Sequence, residues 1–181
     1  MTEGEGMDLY IVRHGVAEES TALGSDAARA LTDEGRKKTA RVARGLAALE
    51  ADPEIILTSP LLRARQTADI LADALRPKDG VCEVKWLEAG ASPAQAVRQL
   101  ARLKCDRVMV VGHMPDLSTL ASMLICGKPS VEIVFKKAGV CALSFDGRAR
   151  MGRGRLEWLM QPRHLRAASA RKKEGEGGGG E

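Results

Sequence analysis

The chain has 181 residues, 44% hydrophobic and 29% charged, which suits one globular domain and excludes a chain that is disordered over most of its length. Aromatic residues make up only 3% (Tyr10, Trp86, Phe135, Phe145 and Trp158), so the core must be aliphatic and the stacking platforms of single-stranded nucleic-acid binders are excluded. The net charge of +4 is terminal: residues 1–146 carry 19 Lys and Arg against 20 Asp and Glu, and residues 147–181 carry 9 against 4, which reads as a solvated end rather than a nucleic-acid surface.

Residues 1–6 read as a flexible start, acidic and without the apolar stretch of a secretory leader. Met7–His14 (MDLYIVRH) is a continuous apolar run ending in Arg and His, the pattern of a buried central strand reaching a polar sheet edge. Leu31–Glu50 has helical spacing with Thr32 as N-cap and Asp33 and Glu34 in the first turn. Glu54–Ser59 is a second strand, Pro60 a turn, and Leu61–Leu75 a second helix. Cys82–Leu87, Pro93–Leu103 and Arg107–Gly112 follow as strand, helix and strand, and Asp116–Cys126 as a further helix.

The apolar stretch 108–127 is too interrupted to cross a membrane, because Gly112, His113, Pro115 and Asp116 stand in its middle. Val131–Lys137, Cys141–Phe145 and Arg155–Met160 read as short strands at an antiparallel edge, and residues 167–181 as a disordered Gly-rich tail. Cys82, Cys105, Cys126 and Cys141 form no C-x-x-C pair, the usage of reduced cytoplasmic thiols rather than of a disulfide framework or zinc site. The expected fold is α/β, a three-layer sandwich over residues 7–166: a mostly parallel central sheet with an antiparallel edge and helices on both faces.

Three polar clusters fall at equivalent places: Arg13-His14-Gly15 ends the first strand, Ser59 to Arg63 follows the second, and Gly112-His113 follows the fourth. In open α/β sheets ligands bind at the carboxyl ends of the strands, so these clusters should meet at one edge. Two arginines and two imidazoles there suit a phosphoryl dianion, since a guanidinium presents a planar fork of donors to phosphate oxygens. No Walker motif, no C-x5-R loop and no metal-ligand pattern accompanies them, which leaves imidazole as the natural nucleophile and implies neither metal nor cofactor.

The Arg13-His14-Gly15 signature, SPLLRARQTA (Ser59–Ala68) and GHMPDLS (Gly112–Ser118) together resemble the histidine phosphatase superfamily, also called phosphoglycerate-mutase-like. FKKAGVCALSF and GRLEWLMQP near the end resemble its SixA-type phosphohistidine phosphatases. The resemblance implies that His14 attacks phosphorus and that Arg13, Arg63 and His113 hold the phosphoryl oxygens. It departs from the mutases and bisphosphatases, which read R-H-G-E-T and an Asn three residues later, where this chain has Val16, Ala17 and Ser20. A general acid is accordingly the weak point, with Glu88 and Asp116 the best placed carboxylates and Glu18 and Glu19 behind them.

A weak acid suits a phosphohistidine substrate, because imidazole leaves phosphorus far more readily than an alkoxide. The expected partner is therefore a phosphorylated protein carrying phosphohistidine, with a small phosphorylated metabolite as the alternative and a non-catalytic phosphate-binding adaptor behind both; neither nucleic acid nor membrane is expected. Lys136 and Lys137 read as lysines that attract an acidic partner or guard a sheet edge, and His164 as part of the basic end.

Overall fold

The computed structural model describes residues 6–19 and 24–176. Its six strands are β1 (Gly6–Arg13), β2 (Ile55–Thr58), β3 (Val81–Glu83), β4 (Arg107–Gly112), β5 (Val140–Asp146) and β6 (Arg155–Met160). They form one sheet in the order β3-β2-β4-β1-β5-β6. The first four in this order run parallel, β5 is antiparallel to its neighbour β1, and β6 is antiparallel to β5. The helices are α1 (Asp33–Ala48), α2 (Leu62–Leu75), α3 (Pro93–Leu100), α4 (Asp116–Cys126) and α5 (Pro162–Glu176).

Side chains alternate across a strand, so β1 and β4 feed two cores at once. Met7, Leu9 and Ile11 join Val108 and Val110 against α3 and α4, while Val12, Met109 and Val111 pack with residues of α1, α2 and α5. β4, buried on both faces from Val108 on, has no polar alternation left and reads as an unbroken apolar run, whereas β1 keeps an exposed Asp8 between buried Met7 and Leu9. Thr32 caps α1 by accepting the Gly35 N–H at 2.8 Å, and Gly127, at φ 78°, ends α4 in the left-handed conformation that glycine adopts without strain. Among the described residues no helix is long and apolar enough to cross a membrane.

The architecture is the expected three-layer sandwich, with four local differences. Gly6, expected in the loose start, is the first residue of β1 and pairs with Asp146, while residues 1–5 lie outside the described ones. The third strand is only Val81–Glu83, and Lys85–Leu87 turn into a 3-10 helix. Val131–Lys137 is not a strand. Its backbone donors go to side chains instead: Ser122 Oγ accepts from Ser130 and Val131, Ser118 Oγ from Ile133, and Gln161 Oε1 from Lys136. Residues 167–176, assigned to a disordered tail, belong to α5, and residues 177–181 lie outside the described ones. Among the α5 residues whose burial is described, Leu165 is the buried one, which gives no hydrophobic period to read; Gly45 of α1 leaves room for the Leu165 backbone to approach.

Candidate active site

β4 lies between β1 and β2, which brings the three polar clusters side by side at one sheet edge. The His14 N–H donates to the Gly112 carbonyl at 3.1 Å, so the residues after β1 and β4 leave the sheet together. The rings of His14 and His113 then meet at 5.1 Å between centroids, tilted by 51°, and both are buried. Arg63 is in the first turn of α2, also buried, and Arg13 is half-buried at the end of β1. All four expected side chains are therefore gathered at the same edge, beside the N-termini of α2 and α4, whose dipoles favour an anion.

The turn after β1 is fixed from both sides. Thr67 Oγ1 accepts the Gly15 N–H at 3.0 Å and donates to the Arg63 carbonyl at 2.7 Å, tying the R-H-G turn to α2. A Cβ on Gly15 would run into the Thr39 hydroxyl of α1. Glycine is needed there because a helix stands against the backbone.

His14 Nδ1 lies 2.7 Å from the Gly15 carbonyl, which can only accept, so the ring proton is on Nδ1 and Nε2 carries a lone pair. Burial, then the positive charge of Lys137, pushes the imidazole down to about 2, so it is neutral over the whole working range. His113 is pushed down to about 4, by burial first and then by Arg63. Its Nε2 is 2.8 Å from Ser59 Oγ, which already accepts the Leu61 N–H. Ser59 Oγ has a second lone pair as well as its hydrogen, so it can accept from or donate to Nε2. Arg13 Nε and His113 Nδ1 are buried without a protein partner, and Arg13 Nε is a donor that a phosphoryl oxygen would satisfy.

Two further residues enter the site that the sequence reading did not place there. Asp26, in a 3-10 turn at Asp26–Ala28, binds Arg63 through its carbonyl (2.8 Å to Nη1) and its Oδ2 (2.9 Å to Nη2). Lys137 brings its Nζ to 3.4 Å from His14 Nε2. Asp26 stands in no periodic pattern, and Lys137 was hidden by reading 131–137 as a strand. Of the carboxylates weighed as general acids, Glu88 and Asp116 line a small cleft with His113. Asp116 Oδ2 accepts the Gly90 N–H at 2.8 Å, and Glu88, Glu18 and Glu19 are exposed. Among the described residues no carboxylate is hydrogen-bonded to either imidazole of the pair.

One trio with metal-ligand geometry, Glu54, Asp79 and Cys105, occurs among the described residues. It lies at the opposite sheet edge, where Glu54 is already paired with Lys78 at 2.9 Å and Arg107 at 3.4 Å.

A family model described as histidine phosphatase superfamily (branch 1) matches residues 9–99. The chain is 37% identical to an uncharacterized protein of Picosynechococcus over 80% of its own length and 88% of the relative's. It is 28% identical to phosphohistidine phosphatase SixA of Escherichia coli over 91% and 99% of the two chains. The solved structure of the protein histidine phosphatase SixA complexed with tungstate superimposes with a TM-score of 0.79 at 27% identity, covering 88% of this chain and 99% of that one. Motifs, sheet order and relatives agree: the chain belongs to the histidine phosphatase superfamily and is of SixA type.

Proposed function

We propose that this phosphatase works through a phosphohistidine at His14 and that its substrate is phosphohistidine displayed on another protein. The observation that carries the reading is the His14 imidazole, neutral, with Nδ1 held by the Gly15 carbonyl and Nε2 turned toward the cations. The Nε2 lone pair forms the bond to phosphorus as the bond to the leaving group breaks, and the leaving imidazole takes its proton from solvent. Water then attacks phosphorus, the P–N bond breaks, and inorganic phosphate and neutral His14 are regenerated as water's proton is released. Arg13, Arg63 and His113 stabilise the charge that develops on the phosphoryl oxygens.

The leaving group follows from the acids. With Asp26 engaged by Arg63 and Asp116 by Gly90, the arrangement favours a group that departs with little protonation, as imidazole does and an alkoxide does not. The SixA relative of Escherichia coli is named for phosphohistidine, which supports the same choice.

The test is hydrolysis of a phosphohistidine protein, p-nitrophenyl phosphate and a panel of sugar phosphates in excess chelator. His14→Ala should abolish turnover, and kcat/KM should be highest on the phosphohistidine protein. Activity that survives His14→Ala overturns the mechanism, and a preference for one sugar phosphate overturns the substrate assignment.

A further inference from the structure

We propose that Lys137 is a catalytic residue: its ammonium rests on His14 Nε2 and moves onto the phosphoryl group when substrate enters, adding a positive charge beside Arg13 and Arg63. This rests on the reading of His14 as nucleophile and deepens it by naming a further group that meets the reacting atoms.

The geometry begins in the backbone. Residues 130–137 return from α4 to the sheet edge along the side-chain acceptors Ser122, Ser118 and Gln161. The segment then turns sharply at Ala138, which is buried and holds φ 62°, a left-handed conformation strained for a residue that carries a β-carbon. The Ala138 N–H donates to the carbonyls of both Arg13 and His14 at 3.1 Å, and Gly139 O accepts the Arg13 N–H at 3.1 Å. Five backbone groups thus lock the turn onto the end of β1. Strain of this kind persists where surrounding contacts over-determine it, and here its effect is to hold the residue before Ala138 against the nucleophile.

The side chain completes the arrangement. Lys137 is half-buried, and its Nζ donates toward His14 Nε2 from 3.4 Å, close to where phosphorus must come for in-line attack. The ammonium therefore has to yield that place to substrate, and its four-carbon stem lets it stay bound to the phosphoryl oxygens as it does so. The charged and titratable groups around it are Arg13 at the end of β1, His14 just after it, His113 after β4, Arg63 on α2, and Arg29 and Asp26 from the 3-10 turn region. Burial, then Arg13, Arg29 and Arg63, bring the ammonium down to about 8, so the added charge is present at neutral pH and lost above it.

The test compares wild type, Lys137→Met, Lys137→Arg, His14→Ala and the exposed neighbour Lys136→Met on p-nitrophenyl phosphate across pH 6–10, with orthovanadate inhibition alongside. Lys137→Met should lower kcat/KM by about 10²-fold, the scale of losing one electrostatic contact in a transition state, and weaken orthovanadate comparably. Wild type should lose kcat/KM above pH 8. Lys137→Arg, whose charge does not titrate there, should carry its activity past that point, and Lys136→Met should match wild type. Lys137→Met within threefold of wild type, or a fall above pH 8 that survives in Lys137→Arg, overturns the proposal. Lys137→Arg decides if Lys137→Met does not fold. An inactive His14→Ala beside a normal Lys137→Met rejects the lysine alone, whereas an active His14→Ala rejects the nucleophile itself.

Discussion

Asp26 grips Arg63 through two acceptors, its carbonyl at 2.8 Å and its carboxylate at 2.9 Å, and the buried guanidinium takes its orientation from an exposed residue. Arg29 binds the other carboxylate oxygen at 2.8 Å, so Asp26 joins two arginines and is itself held well below the usual carboxylate range, by Arg29 first and then Arg63. A guanidinium has five N–H donors, and two groups spent on Asp26 leave the others for phosphate. An ion pair to a carboxylate this exposed contributes at most about 1 kcal/mol to folding, whereas a misoriented guanidinium in a transition state costs about tenfold or more in rate. Asp26→Ala should therefore lower kcat/KM at least tenfold while leaving the urea midpoint close to wild type, because the carboxylate is on the surface. Steady-state kinetics paired with urea melts separates the two effects, and an unaltered kcat/KM would show that Arg63 is positioned without Asp26.

The neutral imidazoles give the fold an acid sensitivity whose sign is fixed. An unfolded chain protonates its histidines near pH 6.5, whereas folded His14 resists until about 2 and His113 until about 4. Between those values the unfolded state binds more protons, so stability is complete above pH 6.5 and falls as pH drops below it. From pH 7 to pH 5 each imidazole should cost about 2 kcal/mol. Urea unfolding at the two pH values should show a drop in wild type and about half of it in His14→Gln. Equal drops in both proteins would mean that His14 is not held neutral by the fold.

The main features were legible because they rest on period and punctuation. β1, β4 and α4 announce themselves by apolar runs or caps, and the two histidines stand at the ends of strands that the topology must bring together. What the sequence does not display is where an irregular segment goes. Lys137 reaches His14 because Ser118 and Ser122 of α4 capture the backbone of residues 130–133, and hydroxyls at helix positions give no sign of such long-range acceptance. Asp26 reaches Arg63 from a short 3-10 turn, and α5 sets Leu165 against a glycine of α1, both below the resolution of any hydrophobic pattern.

The glycine of the R-H-G turn allows a prediction that joins packing to the site. A methyl group on Gly15 would strike the Thr39 hydroxyl and come within 3.2 Å of Leu31 Cδ2, both belonging to structure that cannot easily shift, since Thr39 and Leu31 are buried. Overpacking of this kind costs about 1–3 kcal/mol. Part of the strain should also appear as displacement of His14, whose Nδ1 depends on the Gly15 carbonyl for its tautomer. Gly15→Ala is thus expected to lower both the urea midpoint and kcat/KM. Thr39 Oγ1 is buried without a hydrogen-bond partner, so removing it forfeits no bond while opening the space that the new methyl needs. In the double variant Gly15→Ala/Thr39→Ala, stability and kcat/KM should both recover toward the Thr39→Ala level. A double-mutant cycle measures this directly. Additive losses would place the cost of Gly15→Ala in the backbone rather than in its contact with α1.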